Sequence, residues 1–249
     1  MTTAEPEPFR GRVALVTGGS GGIGQAVALA LAAEDAQVAV HYGHQRDAAE
    51  RVVAQLTGQG ARAVALGADL SSPDAPGELV TATEQALGPI DLLISNAGLG
   101  ERRTLEEVTV ADFDETLAVN LRAPFLLAQR VLPGMRERGF GRALFVSSVA
   151  AFTGGIVGPH YASSKAGLHG LVHFLASRFA PDGITVNGLA PALITGTGML
   201  PGEPADLARR IPVGRLGHPA EVARLALSIL ANPYVTNQVI SIDGGSHPR

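Results

Sequence analysis

Short runs of apolar residues alternate along this chain with longer stretches of helical pattern, and no linker interrupts the alternation. The apolar runs predict seven strands, over residues 12–17, 37–42, 61–68, 90–95, 142–147, 184–189 and 238–242. The longer stretches predict helices over residues 22–34, 46–57, 74–87, 111–138 with a kink at Pro124, 158–180, and 219–230. The Gly- and Pro-rich segment 195–210 is a candidate lid.

The order of these elements predicts the fold. Strands separated by helices need crossover connections, so the sheet is expected to be parallel with helices on both faces. We therefore predict an α/β fold with a doubly wound, seven-stranded parallel sheet, in a single domain over residues 1–249. Ligands of such a fold bind beyond the carboxyl ends of the strands, where the strand order reverses.

The composition narrows the class of protein. With 46% hydrophobic and 17% charged residues, the chain suits a large buried core rather than disorder. A net charge of −4 gives no reason to expect nucleic acid or a membrane as a partner. Residues 1–9, expected to be flexible, lack a signal-peptide pattern, and no apolar run approaches the roughly 18 residues that span a bilayer, so we expect a cytoplasmic protein. The absence of cysteine excludes thiolate catalysis.

A glycine-rich loop, with the sequence TGGSGGIG, follows the first predicted strand and opens the next helix. Glycines permit a tight turn and let a pyrophosphate approach the backbone, and the helix N-terminus adds unpaired N–H groups. The loop fits two registers, G-x-G-x-x-G through Gly19, Gly21 and Gly24 or G-x-x-x-G-x-G through Gly18, Gly22 and Gly24. Its place between a strand and a helix favours dinucleotide binding over a simple flexible turn.

The end of the second predicted strand bears on which dinucleotide binds. An acid at this point holds the ribose 2′-hydroxyl of NAD. Here the strand ends at Tyr42 and is followed by Gly and His44, without a carboxylate, and Arg46 could meet a 2′-phosphate. We therefore favour NADP(H), with NAD(H) as the alternative, although Arg46 could simply be a solvated residue of the next helix. Asp69 could accept the adenine amino group or cap a turn.

Tyr161 and Lys165 lie four residues apart at the start of a predicted helix, so they share a face. A cation within about 4–6 Å favours the phenolate, and a lowered pKa of Tyr161 would let its hydroxyl exchange protons at neutral pH. Lys165 is the only lysine among 19 basic residues, which indicates a site where arginine cannot substitute. An ordinary helical pair is the alternative, because Tyr42 and Arg46 show the same spacing.

Two further clusters are assigned no chemistry. His169 and His173 have the spacing of metal ligands but no adjacent Glu, so packing or interface roles are favoured and no metal site is predicted. Arg136, Arg138 and Arg142 could dock an acidic carrier protein or coenzyme A, but a solvated charged loop is the favoured interpretation.

Taken in order, the motifs resemble those of the short-chain dehydrogenase/reductase family, in its compact single-domain branch, over essentially the whole chain. The residues that carry the resemblance are Thr17-Gly-x-x-x-Gly-Ile-Gly24, Asp69, Asn96-Ala-Gly98, Asn120, Ser148, Tyr161-x-x-x-Lys165, Val186-Asn187 leading to Pro191, and the segment from Gln238 to Gly245. The resemblance implies one NAD(P)-binding Rossmann domain. Within the family, the chain is most similar to 3-oxoacyl-[acyl-carrier-protein] reductases.

The resemblance also implies roles for individual residues. Ser148 would polarise the carbonyl and Tyr161 would be the general acid in reduction. Lys165 would bind the nicotinamide ribose and lower the pKa of Tyr161, and Asn120 would hold a water that relays protons. Ser147 is then a structural neighbour, because Ser148 lies at the family's spacing of thirteen before Tyr161. The cofactor-binding residues would be Gly18, Ser20, Gly22, Ile23, Gly24, Tyr42, His44, Arg46, Asp69, Leu70, Asn96, Ala97, Gly98, Tyr161, Lys165, Pro191, Ala192, Ile194 and Thr197.

The chain departs from the family pattern at three places. Pro191-Ala192 stands where Pro-Gly is frequent, and Thr195-Gly-Thr197 leaves the nicotinamide-contacting threonine open. Gly21 and His44 occupy positions that are often basic in NADP-preferring relatives, which weighs against NADP.

We expect hydride transfer between NADP(H) and a carbonyl or secondary alcohol, with a 3-oxoacyl thioester on a carrier protein or coenzyme A as the leading substrate. The alternatives are another small ketone, a sugar or a steroid alcohol with NAD(H), or a catalytically idle cofactor-binding regulator. Substrate contacts are expected from residues 149–160 and 195–210. The resemblance further implies a homotetramer that uses the helices over 111–138 and 158–180.

Overall fold

The computed structural model describes residues 7–198, 200 and 203–247 and contains one seven-stranded parallel sheet. Its strands are β1 (Val13–Val16), β2 (Gln37–Tyr42), β3 (Ala63–Gly67), β4 (Leu92–Ser95), β5 (Gly141–Val146), β6 (Ile184–Pro191) and β7 (Val239–Ile242). They lie in the order β3-β2-β1-β4-β5-β6-β7, so the order reverses between β1 and β4. The predicted doubly wound fold is confirmed.

The helices are α1 (Gly22–Ala33), α2 (Arg46–Gly58), α3 (Ala75–Leu87), α4 (Val110–Leu117), α5 (Ala123–Arg138), α6 (Ala150–Thr153), α7 (Pro159–Phe179), α8 (Pro204–Ala208) and α9 (Pro219–Ala231). They cover both faces of the sheet. Leu15 of β1 packs with Leu127 of α5 on one face, whereas its neighbour Val16 packs with Val27 of α1 on the other. This alternation explains why the strands read as continuous apolar runs, since each is buried on both sides.

The long helix predicted over residues 111–138 is wrong in one respect, because a π-helical turn at Ala118–Arg122 separates α4 from α5. Pro124 lies in the first turn of α5, directly after the π-helical turn. The break therefore coincides with the π-helical turn before the proline. This turn carries Asn120, in keeping with the frequent occurrence of π-turns at functional sites.

The short helices α6 and α8 are absent from the prediction, because four or five residues cannot display a helical period. The candidate lid 195–210 contains α8, but residues 199, 201 and 202 lie outside the described part. Residues 1–6 of the predicted flexible start also lie outside it, and Phe9 is buried in the core. No helix in the described part of the chain combines the length and apolar character that crossing a membrane requires.

Candidate active site

A cleft of about 440 Å³ opens at the carboxyl ends of the strands on both sides of the switch point. The candidate residues in its wall are Gly18, Ser20, Gly22, Ile23, Asn96, Ala97, Gly98, Ser148, Tyr161, Lys165, Pro191, Ala192, Ile194 and Thr197. The candidates that do not line it are Gly24, Tyr42, His44, Arg46, Asp69, Leu70 and Asn120. The fold thus brings together most of the residues that the motifs singled out.

The glycine loop adopts a conformation that distinguishes its two possible registers. Gly18 and Gly22 have φ angles of 62° and 38°, in the left-handed region that favours glycine. A Cβ on Gly24 would lie 2.2 Å from the carbonyl oxygen of Gly18, whereas a Cβ on Gly21 would meet nothing within 4 Å. The backbone therefore requires glycine in the register of Gly18, Gly22 and Gly24, and Gly21 is free to vary.

Side chains behind the loop hold it in place. The Asn96 amide donates to the carbonyl oxygens of Thr17 (3.0 Å) and Gly18 (3.1 Å). The Thr17 hydroxyl oxygen accepts hydrogen bonds from the backbone N–H groups of Asn96 (2.9 Å) and Ala97 (3.0 Å). The loop and the end of β4 are consequently one hydrogen-bonded unit.

His41 is a site residue that the sequence analysis missed. Its Nδ1 accepts from the N–H of Gly18 at 3.1 Å, and its Nε2 lies 3.0 Å from the carbonyl oxygen of Ala68. Burial lowers the pKa of His41, so the ring is neutral and its Nε2–H donates to Ala68. The only signal in the sequence is a polar residue on an otherwise apolar strand next to the loop.

The end of β2 is free of carboxylates, as the sequence indicates. Arg46 is the first residue of α2, and its Nε donates to Glu50 at 2.7 Å. The Arg46 side chain is 72% exposed, and an exposed i,i+4 pair is weak, so the guanidinium can exchange this partner for a ligand.

The ring of Tyr42 covers Gly67. A Cβ on Gly67 would come within 2.8 Å of this ring.

Asp69 forms the turn cap that was one of its two possible roles. Its Oδ1 accepts a hydrogen bond from the backbone N–H of Ser71 at 2.9 Å. This bond, together with a hydrogen bond from the Ser71 side chain, lowers the pKa of Asp69, so the carboxylate is ionised.

Tyr161 and Lys165 occupy the first two turns of α7, and both are buried. The Lys165 Nζ donates to the carbonyl oxygen of Val146, at the end of β5, at 2.8 Å, and lies 5.8 Å from the centre of the Tyr161 ring. Ser148 follows β5, and its side chain is hydrogen-bonded to that of Tyr161. Its oxygen also accepts from the N–H of Ala150 at 3.2 Å. The β5 end and α7 thus hold two hydroxyls and one ammonium at one point of the cleft.

The pKa shifts correct the expectation drawn from spacing. Burial raises the pKa of Tyr161, and the hydrogen bond with Ser148 offsets this only in part. Burial also lowers the pKa of Lys165 to about 8. A lowered pKa of Tyr161 is therefore wrong for the protein without ligands, because both groups are out of water and the ammonium is directed at a backbone carbonyl.

Lys165 is expected to impose a pH dependence on stability. Its pKa is 10.5 in an unfolded chain and about 8 in the fold, so between these values the unfolded state binds more protons. The free energy of unfolding should then rise with pH over this range, by up to about 3 kcal/mol. Above about pH 10 the raised pKa of Tyr161 acts in the opposite direction, because the unfolded phenol ionises first.

Urea unfolding of the ligand-free protein at a series of pH values checks this expectation. Lys165→Met is the control and should abolish the rise, since the chain contains no other lysine. A wild-type stability that is flat or falling between about pH 8 and 10 would mean that the ammonium is better hydrated than its burial indicates.

Asn120 braces the site through its side chain. Its Oδ1 accepts from the N–H of Leu99 at 2.7 Å, and its Nδ2 donates to the carbonyl oxygen of Leu99 (2.8 Å) and to the Ser164 hydroxyl (3.0 Å). Both amide hydrogens are thus used within the protein. A water held at this residue would have to be bound by Oδ1 or by the backbone carbonyl.

The side chains of Ser147, His169 and His173 make polar contacts within the protein. The Ser147 hydroxyl donates to the carbonyl oxygen of Lys165 at 3.1 Å and lies 2.9 Å from Nε2 of His169. His173 contacts Asn237 at 2.7 Å. Within residues 7–198, 200 and 203–247, no cluster of three or more potential ligands could hold a metal ion.

The two candidate threonines differ in position. Thr197 lines the cleft, and its hydroxyl donates to the carbonyl oxygen of Ile194 at 3.1 Å. The Thr195 hydroxyl instead lies 3.3 Å from the Gly217 carbonyl oxygen and from the His218 ring. Thr197 is therefore the threonine available to a ligand.

The three arginines of the cluster lie on α5 and β5 rather than in a loop, and Arg136 and Arg138 are exposed whereas Arg142 is not. Arg136 pairs with Asp182 at 2.7 Å, and Arg138 donates to a backbone carbonyl at 2.6 Å. Arg142 is buried and donates to the carbonyl oxygens of Leu230 and Gly183. Each guanidinium thus pairs with a group of a neighbouring helix, strand or turn. This arrangement gives no support to the docking of a carrier protein or coenzyme A.

Comparison with known proteins agrees with this geometry. Residues 12–207 match the family model described as short chain dehydrogenase. The chain is 36% identical to a 3-oxoacyl-[acyl-carrier-protein] reductase of Synechocystis, over 94% of this chain and 96% of that protein. It is 37% identical to an acetoacetyl-CoA reductase of Shinella zoogloeoides, over 94% and 98%. A blue fluorescent protein from a metagenomic library, solved with NADPH, superposes with a TM-score of 0.90 at 34% identity, over 96% and 99% of the two chains.

Proposed function

The chain belongs to the short-chain dehydrogenase family, and we propose that it reduces 3-oxoacyl thioesters with NADPH. Its enzymatic class, NAD(P)-dependent oxidoreductase, follows from the family. The observation that carries the proposal is the placement of Ser148, Tyr161 and Lys165 in one cleft with the glycine loop.

The described residues fit a dinucleotide. Gly18 and Gly22 form a cradle that side chains would fill, and the first turn of α1 contains no acidic residue to repel a phosphate. The carboxylate-free end of β2 and the exposed Arg46 favour a 2′-phosphate, and the relative solved with NADPH supports this choice. When bound, the nicotinamide supplies the hydride. Lys165 would hold the nicotinamide ribose, and Thr197 would contact the nicotinamide.

Ser148 and Tyr161 would act together on the substrate oxygen. A carbonyl oxygen that enters between the two hydroxyls could replace the hydrogen bond they now share and accept one hydrogen bond from each. Because the pKa of Tyr161 is raised, its hydroxyl is protonated at neutral pH, which is the state that a general acid needs. Tyr161 would therefore give its proton to the carbonyl oxygen as hydride reaches the carbon, and Ser148 would keep that oxygen in place.

The remaining wall of the cleft suits an acyl chain. Its apolar side chains come from the segment before α7 and from the region around α8, namely Ile156, Val157, Leu193, Leu200, Leu207 and Ile211. The similarity to a carrier-protein reductase and an acetoacetyl-CoA reductase supports a thioester substrate.

A homotetramer is part of the proposal. Phe125 on α5 and Phe174 on α7 are 44% and 54% exposed, and such large apolar side chains suit an interface. Light scattering at micromolar concentration is the measurement that checks the assembly.

The assay that tests the function follows NADPH consumption with acetoacetyl-CoA. We expect turnover, with kcat/KM for NADPH at least about tenfold above that for NADH. Arg46→Ala should reduce this preference, whereas Arg51→Ala, which removes another exposed arginine from the same helix, should not. Tight NADPH binding without turnover of any ketone would instead identify a regulator, and turnover of other ketones alone would refute the thioester assignment.

A further inference from the structure

Arg210 is the one charged residue in the described wall of the cleft that has no role in the proposed reaction. Among the described residues of this wall there is no aspartate or glutamate, and the one other charged group, Lys165, is buried and donates to the carbonyl oxygen of Val146. Arg210 is exposed, and in the described part of the chain its guanidinium takes part in no ion pair or hydrogen bond. The Arg210 guanidinium is therefore a cation that no anion of the described residues neutralises.

The backbone of Arg210 is held firmly against the cleft. Its N–H donates to the carbonyl oxygen of Leu207 at 3.0 Å. Leu207 and Ile211, on either side of it, are buried in a small apolar cluster and also line the cleft. The backbone of Arg210 is thus held between two buried residues of the apolar wall, whereas its side chain is exposed.

Its neighbour Arg209 shows what an ordinary surface arginine does here. Arg209 pairs with Asp206, three residues earlier, and does not line the cleft. Arg215, farther along, pairs with Glu221 at 2.7 Å. Two of the three arginines in this region are therefore neutralised by acids, and Arg210, the one that faces the ligand space, is not.

Building on the proposed thioester function, we propose that Arg210 binds the phosphate of the 4′-phosphopantetheine arm shared by coenzyme A and acyl carrier thioesters. The pantetheine arm that joins the thioester to this phosphate carries two methyl groups next to the phosphate ester, so a phosphate bound at Arg210 would place this apolar part of the arm against Leu207 and Ile211. A guanidinium binds phosphate through paired, charge-assisted hydrogen bonds. The phosphates of the dinucleotide have their own site at the glycine loop and the N-terminus of α1. Arg210 thereby selects carrier-linked substrates over uncharged ketones.

Two substrates that differ by one phosphate test the inference: acetoacetyl-4′-phosphopantetheine and acetoacetyl-pantetheine. For the wild type, KM should be lower for the phosphorylated substrate, by about tenfold. Arg210→Ala should raise this KM by about tenfold, with kcat and the KM for acetoacetyl-pantetheine unchanged, and Arg210→Lys should restore part of the loss. Arg209→Ala is the matched control and should change none of these values.

The outcomes separate this inference from the proposed function. If both substrates are turned over equally well and Arg210→Ala changes neither KM, the inference is wrong and the function stands. It is also wrong if Arg210→Ala raises both KM values equally, or raises the KM for NADPH, since the arginine would then serve the acyl chain or the cofactor. If the wild type reduces neither substrate, the proposed function fails and the inference fails with it.

Discussion

Replacing Tyr161 with Phe is expected to lower kcat for ketone reduction by about 10³-fold or more, while the affinity for NADPH stays within about twofold of wild type. The hydroxyl of Tyr161 is the only proton donor of suitable pKa in the described wall of the cleft, apart from the lysine that faces Val146. Ser148 could still donate a hydrogen bond to the carbonyl oxygen in the variant, but an aliphatic hydroxyl is too weak an acid to transfer its proton at neutral pH. The loss should therefore fall on the chemical step.

The phenylalanine ring keeps the packing of a side chain that is only 8% exposed, so the fold should be preserved. Initial rates of NADPH oxidation and a fluorescence titration of NADPH binding measure the two effects separately. Tyr234→Phe removes the hydroxyl of a tyrosine that is 96% exposed and serves as the matched control. A Tyr161→Phe enzyme that retained a tenth or more of the wild-type kcat would rule out Tyr161 as the proton donor.

Replacing Lys165 with Arg is expected to lower kcat/KM for NADPH by about 10²-fold or more, despite the conserved charge. The Lys165 Nζ occupies a narrow space, where it lies 2.8 Å from the Val146 oxygen and 3.3 Å from the position of a Cβ on Gly98. A planar guanidinium is too broad for this space and would displace α7 or the end of β4. The contact of residue 165 with the cofactor should then weaken, and Tyr161 should be displaced.

A thermal melt distinguishes this local damage from unfolding of the protein. Initial rates at a series of NADPH concentrations give kcat and the KM for NADPH. Lys165→Met keeps the length of the side chain without its charge, so it separates the loss of charge from the loss of fit. Arg51→Lys, on the exposed side of α2, makes the reverse exchange where no fit is required and should have no effect. Full activity of Lys165→Arg would show that the solitary lysine has no special role.

These expectations depend on a site in which burial has two opposite effects. Water exclusion raises the pKa of Tyr161 and lowers that of Lys165, so both groups tend toward their neutral forms. For the phenol, this favours the donor state used in reduction.

Much of the fold could be predicted because its determinants are local. β2 begins and ends where its apolar run does, and α9 begins at Pro219, a residue that suits a first turn. The π-helical turn at Ala118–Arg122 and the short helix α8 were not predicted, since five residues are too few to display a helical period.

By itself, the sequence determined the strand and helix order, the glycine loop, and the spacing of Ser148, Tyr161 and Lys165, because these are properties of neighbouring residues. Only the tertiary structure decided that Gly21 is dispensable while Gly24 is not, and that burial raises rather than lowers the pKa of Tyr161. It also distinguished the free Arg210 from the paired Arg209. The physical reason is the same in each case. Steric exclusion, desolvation and charge pairing are set by atoms that lie close in space and far apart along the chain.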